Sequence, residues 1–138
     1  MIPTLVVTHG RLADELVAAA RTIDEELDSF VHALSLPWEI DFDEARATVT
    51  RRLEELGGGG GVLVLTDMFG GTATNLVLPS LEQNTVEVVT GVNLPMLIKL
   101  GSLVEQDLEL HDLARRVVAA GQRSIHVASE FLQAKGKG

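Results

Sequence analysis

The stretch GVLVLTD at residues 61–67, followed by GGTATNLVLPSLEQ at residues 70–83, decides the fold class. The first segment is continuously apolar up to Thr66 and Asp67, which is typical of a central parallel strand covered on both faces. The second segment begins with two glycines and then predicts a helix, which Pro79 should kink or shorten. A buried strand that leads through a glycine turn into a helix is the repeating unit of a parallel α/β sheet.

The same alternation of strand and helix extends along the chain. Short apolar stretches predict four further strands, at residues 3–8, 30–36, 86–91 and 124–129. The spacing of apolar residues predicts further helices at 11–27, at 41–57 with Asp41 as N-cap, from about Leu94, and at 107–121. We therefore expect a single α/β domain over residues 1–138, with a mostly parallel central sheet, helices on both faces and a frayed tail at 131–138.

Composition and charge argue against several classes of protein. The chain has 138 residues and is 46% hydrophobic, and it contains no cysteine, which excludes disulfides and thiolate metal sites. Its net charge of −9 argues against nucleic acid or an anionic membrane as the main partner. The N-terminus does not resemble a signal peptide, and no stretch reaches the ~18 apolar residues of a membrane span. Absence of cysteine is compatible with the cytoplasm.

A run of five glycines, 57–61, is the only low-complexity stretch. It could be read as a phosphate-binding loop, but no Gly-Lys-Ser/Thr follows and the glycines precede a strand rather than a helix. We interpret it as a flexible connection. No GxGxxG pattern follows the first strand, which argues against a dinucleotide site.

Small polar and ionisable residues follow three of the predicted strands, at 8–10, 66–72 and 90–93. Ligands of open α/β sheets bind outside the carboxyl ends of the strands. The first and third strands are commonly neighbours in such sheets, so we expect His9 and Asp67 at the same edge. An aspartate that accepts the N–H of an imidazole fixes its tautomer and leaves the other nitrogen free. Such a histidine can act as a general base, a metal ligand or a nucleophile.

The residues Gly70, Gly71 and Thr72 open the helix after the third strand. Backbone N–H groups at a helix start favour an anion, and Thr72 adds a hydroxyl donor. Taken singly, each feature has a commoner structural explanation: a surface histidine, a helix cap and a tight turn. Taken together, a nucleophilic nitrogen beside an anion site suits a phosphoryl group better than a metal ion.

The remaining aromatic, sulfur and imidazole side chains are assigned mainly to structure. Trp38 follows Pro37 after the second strand, which places it near the same edge of the sheet and partly exposed, and packing is the interpretation we favour over a partner contact. Met68 and Phe69 are apolar residues in the loop at the candidate site, where exposed apolar groups often mark a protein contact. We expect structural roles for the three other histidines, His32, His111 and His126.

Three stretches resemble the mannose-type IIA domain of the bacterial phosphoenolpyruvate-dependent sugar phosphotransferase system: VVTHGRLADELVAAA (6–20), VLVLTDMFGGTATN (62–75) and VVTGVNLPMLIKL (88–100). The resemblance implies that His9 is the phosphorylated histidine, that Asp67 orients it and that Thr72 lies near the phosphoryl group. It also implies a homodimer in which an antiparallel terminal strand crosses to the partner's sheet. The segment SIHVAS at 124–129 would match that strand.

The mechanism that the resemblance implies is ping-pong phosphoryl transfer in the cytoplasm. His9 would accept a phosphoryl group from HPr, the small histidine phosphocarrier, and pass it to a IIB protein for sugar uptake. No metal and no other cofactor is required, and any association with the membrane components IIC and IID would go through IIB. Ala73 stands where the family usually has proline, which should loosen the first helical turn.

Other interpretations remain open at this stage. The chain could be a stand-alone regulatory phosphoprotein in which phosphorylation of His9 switches partner binding. It could also be the phosphoryl donor subunit of a dihydroxyacetone kinase, whose first domain looks similar, although THGRLA and GVNLPML favour the sugar system. A metal-dependent or nucleotide-binding α/β domain would need extra ligands or a phosphate loop.

Overall fold

The computed structural model describes residues 1–68, 70–82 and 85–136 and contains one four-stranded sheet in these ranges. All neighbouring strands are parallel and their order is β2-β1-β3-β4. The strands are β1 (Thr4–His9), β2 (Val31–Leu36), β3 (Val62–Thr66) and β4 (Val86–Val89). The predicted parallel sheet is confirmed, and β1 and β3 are neighbours as expected.

Six α-helices connect and flank these strands within the described ranges: α1 (Leu12–Ile23), α2 (Phe42–Leu56), α3 (Thr72–Val77), α4 (Leu94–Leu103), α5 (Leu110–Arg123) and α6 (Ala128–Gly136). Local signals account for several of their ends. Asp41 caps α2 by accepting the N–H groups of Asp43 and Glu44. The helix before Pro79 stops at Val77 and continues only as a 3₁₀ turn, as the proline predicts.

The core lies on both faces of the sheet. Val6 and Leu63 belong to the cluster packed against α1, α4 and α5, whereas Leu5 and Val64 belong to the cluster packed against α2 and α3. Successive side chains of a strand point to opposite faces, so a sheet covered on both sides needs apolar residues at every position. This explains the uninterrupted apolar run in β3 and confirms the prediction of helices on both faces.

The first predicted helix, at 11–27, is shorter than expected. It ends at Ile23, and a 3₁₀ turn over Glu25–Ser29 follows. Asp24 separates the two because its carboxylate accepts the N–H of Glu26, a local hydrogen bond that competes with continued α-helix. Among the described residues, no helix is long and apolar enough to span a membrane.

The C-terminal region departs from the predictions. The expected strand at 124–129 is wrong for the single chain: Ser124 caps α5, its hydroxyl donating to Ala120 O at 2.8 Å, and α6 begins at Ala128. A strand needs a neighbour for its backbone groups, and this segment has none: residues 125–127 form an irregular link between α5 and α6, and only Ala128 and Ser129 are helical. Residues 131–136 belong to α6, in which no side chain is buried, and 137–138 lie outside the described residues, so the frayed tail stays a prediction.

Candidate active site

His9 is the last residue of β1, where the chain turns sharply into α1. Gly10 takes a left-handed φ of +61° and donates its N–H to Leu36 O at 2.9 Å, which ties this turn to the end of β2. The buried Thr8 hydroxyl accepts the N–H of Ala13 at 2.8 Å, in the manner of a helix cap. The half-buried His9 therefore stands on a backbone that hydrogen bonds hold on both sides.

The indole of Trp38 lies beside His9. The two ring centroids are 5.2 Å apart and the ring planes are inclined by 33°. A Cβ atom on Gly10 would be only 2.8 Å from Trp38 Nε1, so the absence of a side chain at Gly10 permits this close approach. The sequence favours packing for Trp38, yet the side chain is 78% exposed. Its position directly after β2, the neighbour of β1, brings it to this edge of the sheet, as the sequence indicates.

Asp67 follows β3 at the same edge of the sheet. The register pairs Val7 of β1 with Thr66 of β3. His9 lies two residues beyond Val7, and Asp67 lies one residue beyond Thr66. Asp67 Oδ1 accepts the N–H of Met68 at 2.8 Å. The side chains of His9 and Asp67, both within the described part of the chain, are not hydrogen-bonded to each other. The predicted proximity at one edge therefore holds at the level of the strands, and the orienting hydrogen bond stays a prediction.

The loop after Asp67 is fastened by threonine hydroxyls. Thr74 Oγ1 donates to Met68 O at 2.6 Å and lies 2.6 Å from the hydroxyl of Thr66. Both threonines are fully buried. These bonds join the end of β3, the loop and the start of α3, and so fix the path of the chain past Asp67.

Of the three predicted phosphoryl-binding residues, Gly71 has its N–H group bonded within the loop, whereas Gly70 and Thr72 are exposed. Gly71 donates its N–H to Met68 O at 3.2 Å, so this group is already occupied within the loop. Thr72 is the exposed first residue of α3, where backbone N–H groups have no partner inside the helix. Gly70 is exposed and takes a left-handed φ of +84°. With six residues, α3 has fewer than two turns, and the binding of a phosphoryl group by Gly70, Gly71 and Thr72 stays a prediction.

The third loop at this edge, 90–93, has mainly structural bonds. The Asn93 side chain accepts the N–H of Met96 at 3.1 Å and donates to Gly121 O at 3.3 Å. The N–H of Val92 donates to Thr66 O at 3.0 Å. These contacts fix the start of α4 relative to the end of β3 and to α5.

Three further residues singled out by the sequence are Met68, Phe69 and Ala73. Met68 is 62% exposed, as expected for an apolar residue in this loop, and Phe69 lies outside the described residues. Ala73 is buried in α3, which begins one residue earlier at Thr72, so this helix forms without the proline that the family usually has there.

The other histidines make contacts away from His9. His111 Nδ1 lies 3.0 Å from Glu87 Oε2, and the His126 ring stacks on Phe131 with centroids 4.2 Å apart. Burial lowers the pKa of His32, and the guanidinium of Arg52 lowers it further. Within residues 1–68, 70–82 and 85–136, no three His, Asp or Glu side chains are placed to hold a metal ion.

A parallel α/β domain with a histidine and an aspartate after neighbouring strands defines a class of candidate phosphoryl-transfer proteins. The model of one family, EIIA-man, described as PTS system fructose IIA component, matches residues 4–118. The chain therefore belongs to this family of phosphotransferase system components, which confirms the resemblance seen in the sequence.

Individual relatives agree with this assignment. The chain is 41% identical over 73 residues to the PTS system fructose-specific EIIA component of Bacillus subtilis (strain 168), a match that covers 52% of this chain and about half (49%) of that relative. The mannose/sorbose-specific IIA subunit from Enterococcus faecalis is 28% identical, with a TM-score of 0.77 over 92% of this chain and 95% of that chain. EIIA from Streptococcus agalactiae is 22% identical and has the same fold, with a TM-score of 0.83 over 94% of this chain and 99% of that chain.

Proposed function

We propose that this protein is a cytoplasmic phosphoryl carrier of a sugar phosphotransferase system, which accepts a phosphoryl group from phospho-HPr on His9 and passes it to a IIB protein. One observation carries this proposal. In a chain that belongs to the IIA family, His9 ends β1 at the edge where the Asp67–Thr72 loop follows the neighbouring strand β3. This topology brings the histidine and potential hydrogen-bond donors to a phosphoryl group to the same edge of the sheet.

The proposed reaction forms one bond and breaks one. A neutral ring nitrogen of His9 attacks the phosphorus of phospho-HPr, the donor P–N bond breaks, and its electron pair returns to the donor imidazole. The charge spread over the phosphoryl oxygens is stabilised by hydrogen-bond donors fixed in advance, here the hydroxyl and N–H of Thr72. In a second transfer of the same kind, a nucleophile of the IIB protein attacks the phosphorus on His9, the P–N bond to His9 breaks, and its electron pair returns to the His9 imidazole.

Asp67 is proposed to orient His9 during transfer. Its Oδ1 accepts the N–H of Met68, which leaves Oδ2 to accept an N–H of the imidazole. Catalytic hydrogen bonds are often long or unformed in a free protein and tighten in the reacting complex. A carboxylate at this position fixes the tautomer and favours the positive charge that the ring gains on phosphorylation.

We also propose a homodimer in which segment 124–129 pairs as an antiparallel strand with β4 of the other copy. Strand β4 is at the edge of the sheet, and an open cleft of about 350 Å³ lies between it and α5. Ile125 and Val127 in the segment are 74% and 63% exposed, which is costly for branched apolar side chains unless a second copy covers them. Contact with membrane components would go through IIB.

Phosphorylation followed by intact mass spectrometry tests the carrier function. The protein is mixed with phosphoenolpyruvate, enzyme I and HPr, in parallel with His9→Ala and with His126→Ala as a matched control on an exposed histidine. We expect one acid-labile phosphoryl group on the wild type and on the control, and none on His9→Ala. Wild-type protein that gains no phosphoryl group would overturn the proposal.

A second stage separates carrier from regulator. Purified phosphorylated protein is mixed with IIB proteins of the same organism, and the loss of its phosphoryl group is followed by mass. Transfer to IIB supports the carrier function. Retention of the group with every IIB, together with binding to a regulator that depends on phosphorylation, would replace it by the regulatory alternative.

A further inference from the structure

The sequence does not predict the contact between Trp38 and His9. The ring centroids are 5.2 Å apart, and the indole also covers Gly10, where only a glycine leaves room for it. Trp38 therefore lies against both the reactive side chain and the turn that carries it.

The loop that carries Trp38 is held at both ends. Before it, Leu36 O accepts the N–H of Gly10, and the ring of Pro37 restricts the backbone. Within it, the N–H of Ile40 donates to Pro37 O at 3.2 Å, and after it Asp41 caps α2. A tryptophan on such a short, anchored connection has little freedom to leave His9.

Core packing does not explain the position of Trp38. It is 78% exposed, more than any other large apolar side chain of the described residues. Exposing an indole forgoes the burial of its large apolar surface, which would normally stabilise the fold. Among the described residues, its ring has one aromatic partner, the imidazole of His9.

We infer that Trp38 is a positioning residue for phosphoryl transfer at His9. This inference rests on the proposed function. Phosphoryl transfer requires the attacking nitrogen to lie in line with the bond that breaks, so free rotation of the imidazole slows it. The tilted indole lies against one side of the imidazole and restricts its rotation, and this restraint is present in the free protein, in which Asp67 is not bonded to His9. The π face also favours the positive charge that the ring gains with the phosphoryl group.

The kinetic test uses Trp38→Ala and Trp38→Phe, with Ile23→Ala as the control for loss of an exposed apolar side chain at the opposite end of α1. Ile23 is 62% exposed. With phospho-HPr as donor, a positioning role predicts that Trp38→Ala lowers kcat about 10- to 100-fold with little change in KM. We expect Trp38→Phe to recover most of this loss and Ile23→Ala to match the wild type. A raised KM with an unchanged kcat would overturn the inference and make Trp38 a docking residue.

A small donor removes docking from the comparison. Phosphoramidate can phosphorylate an accessible imidazole without a protein surface, so Trp38→Ala should be slowed with this donor as well. An equal rate for Trp38→Ala and the wild type would overturn the positioning role. If the wild type is phosphorylated by neither donor, the proposed function fails instead, and the two failures are thus distinguishable.

A spectroscopic readout tests the contact itself. The indole should shift the His9 ring protons upfield in the NMR spectrum by its ring current, and this shift should disappear in Trp38→Ala. Trp38 is the only tryptophan of the chain and there is no tyrosine, so the fluorescence comes from Trp38. Its aromatic neighbour among the described residues is His9, so the emission should respond to a change at His9. We expect the emission of the wild type to change when phospho-HPr is added, and the emission of His9→Ala to stay the same under these conditions. Unshifted His9 protons in the wild type would contradict the inference.

Discussion

Thr74 and Thr66 join the end of β3 to the start of α3 through a hydroxyl pair 2.6 Å apart. Thr74 donates its own proton to Met68 O, so the hydroxyl of Thr66 is the donor to Thr74. Each buried hydroxyl thereby has a partner, and the loop between them is closed by side-chain bonds as well as by the backbone. The position of Asp67 depends on this closure, since it lies between Thr66 and Met68.

Replacing Thr74 by valine keeps the shape of the side chain and removes both hydrogen bonds. The Thr66 hydroxyl and the Met68 carbonyl then lose a partner, which should lower the free energy of unfolding by about 1–3 kcal/mol. Urea denaturation measures this change. Thr22→Val is the matched control, because Thr22 also bonds a backbone carbonyl but is exposed on α1, and we expect it to stay within about 0.5 kcal/mol of the wild type. Equal effects of the two substitutions would show that the closure contributes no stability.

Two substitutions separate the structural and chemical roles of Asp67. Asp67→Asn keeps an oxygen that can accept the N–H of Met68 but loses the charge, whereas Asp67→Ala loses both. We expect both to slow phosphorylation of His9 by at least about tenfold, since neither provides a carboxylate for the imidazole. Only Asp67→Ala should also lower the free energy of unfolding, by about 1 kcal/mol. Rates from quenched samples read by mass, compared with urea denaturation, check both statements. A wild-type rate for Asp67→Asn would exclude a role for the carboxylate.

The parts of the fold that the sequence predicted well depend on short-range signals. The apolar run of β3, the cap at Asp41 and the break at Pro79 each act within a few residues, and the pairing of β1 with β3 is the common arrangement in doubly wound sheets. The edge that carries His9 and Asp67 follows from the same rule, because loops after parallel strands meet at one side of the sheet.

The features that were missed depend on longer-range or competing contacts. Trp38 reaches His9 only because β2 is the neighbour of β1 and because Gly10 has no side chain, a combination that no single stretch reveals. Segment 124–129 has the composition of a strand, but in the single chain it has no strand beside it. The N–H of Gly71 was expected to be free for an anion, yet the carbonyl of Met68 accepts it within the loop.

Acidification should destabilise the protein in part through His32. Burial lowers the pKa of His32, with further lowering by the Arg52 and Arg21 guanidinium groups, against which the Asp28 carboxylate acts. The unfolded chain, with a histidine pKa of about 6.5, therefore takes up the proton before the folded chain does. The contribution of His32 is complete above that pH and is lost as the pH falls through the lowered value of the folded state.

His32→Gln removes this titration. Urea denaturation of the wild type and the variant between about pH 8 and about pH 5.5 should show a smaller loss of stability for His32→Gln on acidification. Identical pH profiles for His32→Gln and the wild type would contradict the assigned role of His32.

The exposed apolar side chains at 125 and 127 give the test of the proposed dimer. As a strand paired with β4 of a second copy, segment 124–129 would present alternate side chains to the same face, so Ile125 and Val127 would be buried together. The double substitution Ile125→Asp and Val127→Asp should therefore convert the dimer into a monomer, because two carboxylates would have to be desolvated in the interface. Sedimentation velocity measures the change in mass.

Leu132→Asp is the control for this substitution. Leu132 is 66% exposed and lies in α6, outside the proposed strand, so this variant should remain a dimer. Circular dichroism checks that the double variant is folded. Because no side chain of α6 is buried in the single chain, the substitutions should leave the helix content of the rest of the protein unchanged. A double variant that sediments as a dimer would place the interface elsewhere, and a monomeric wild type would exclude strand exchange altogether.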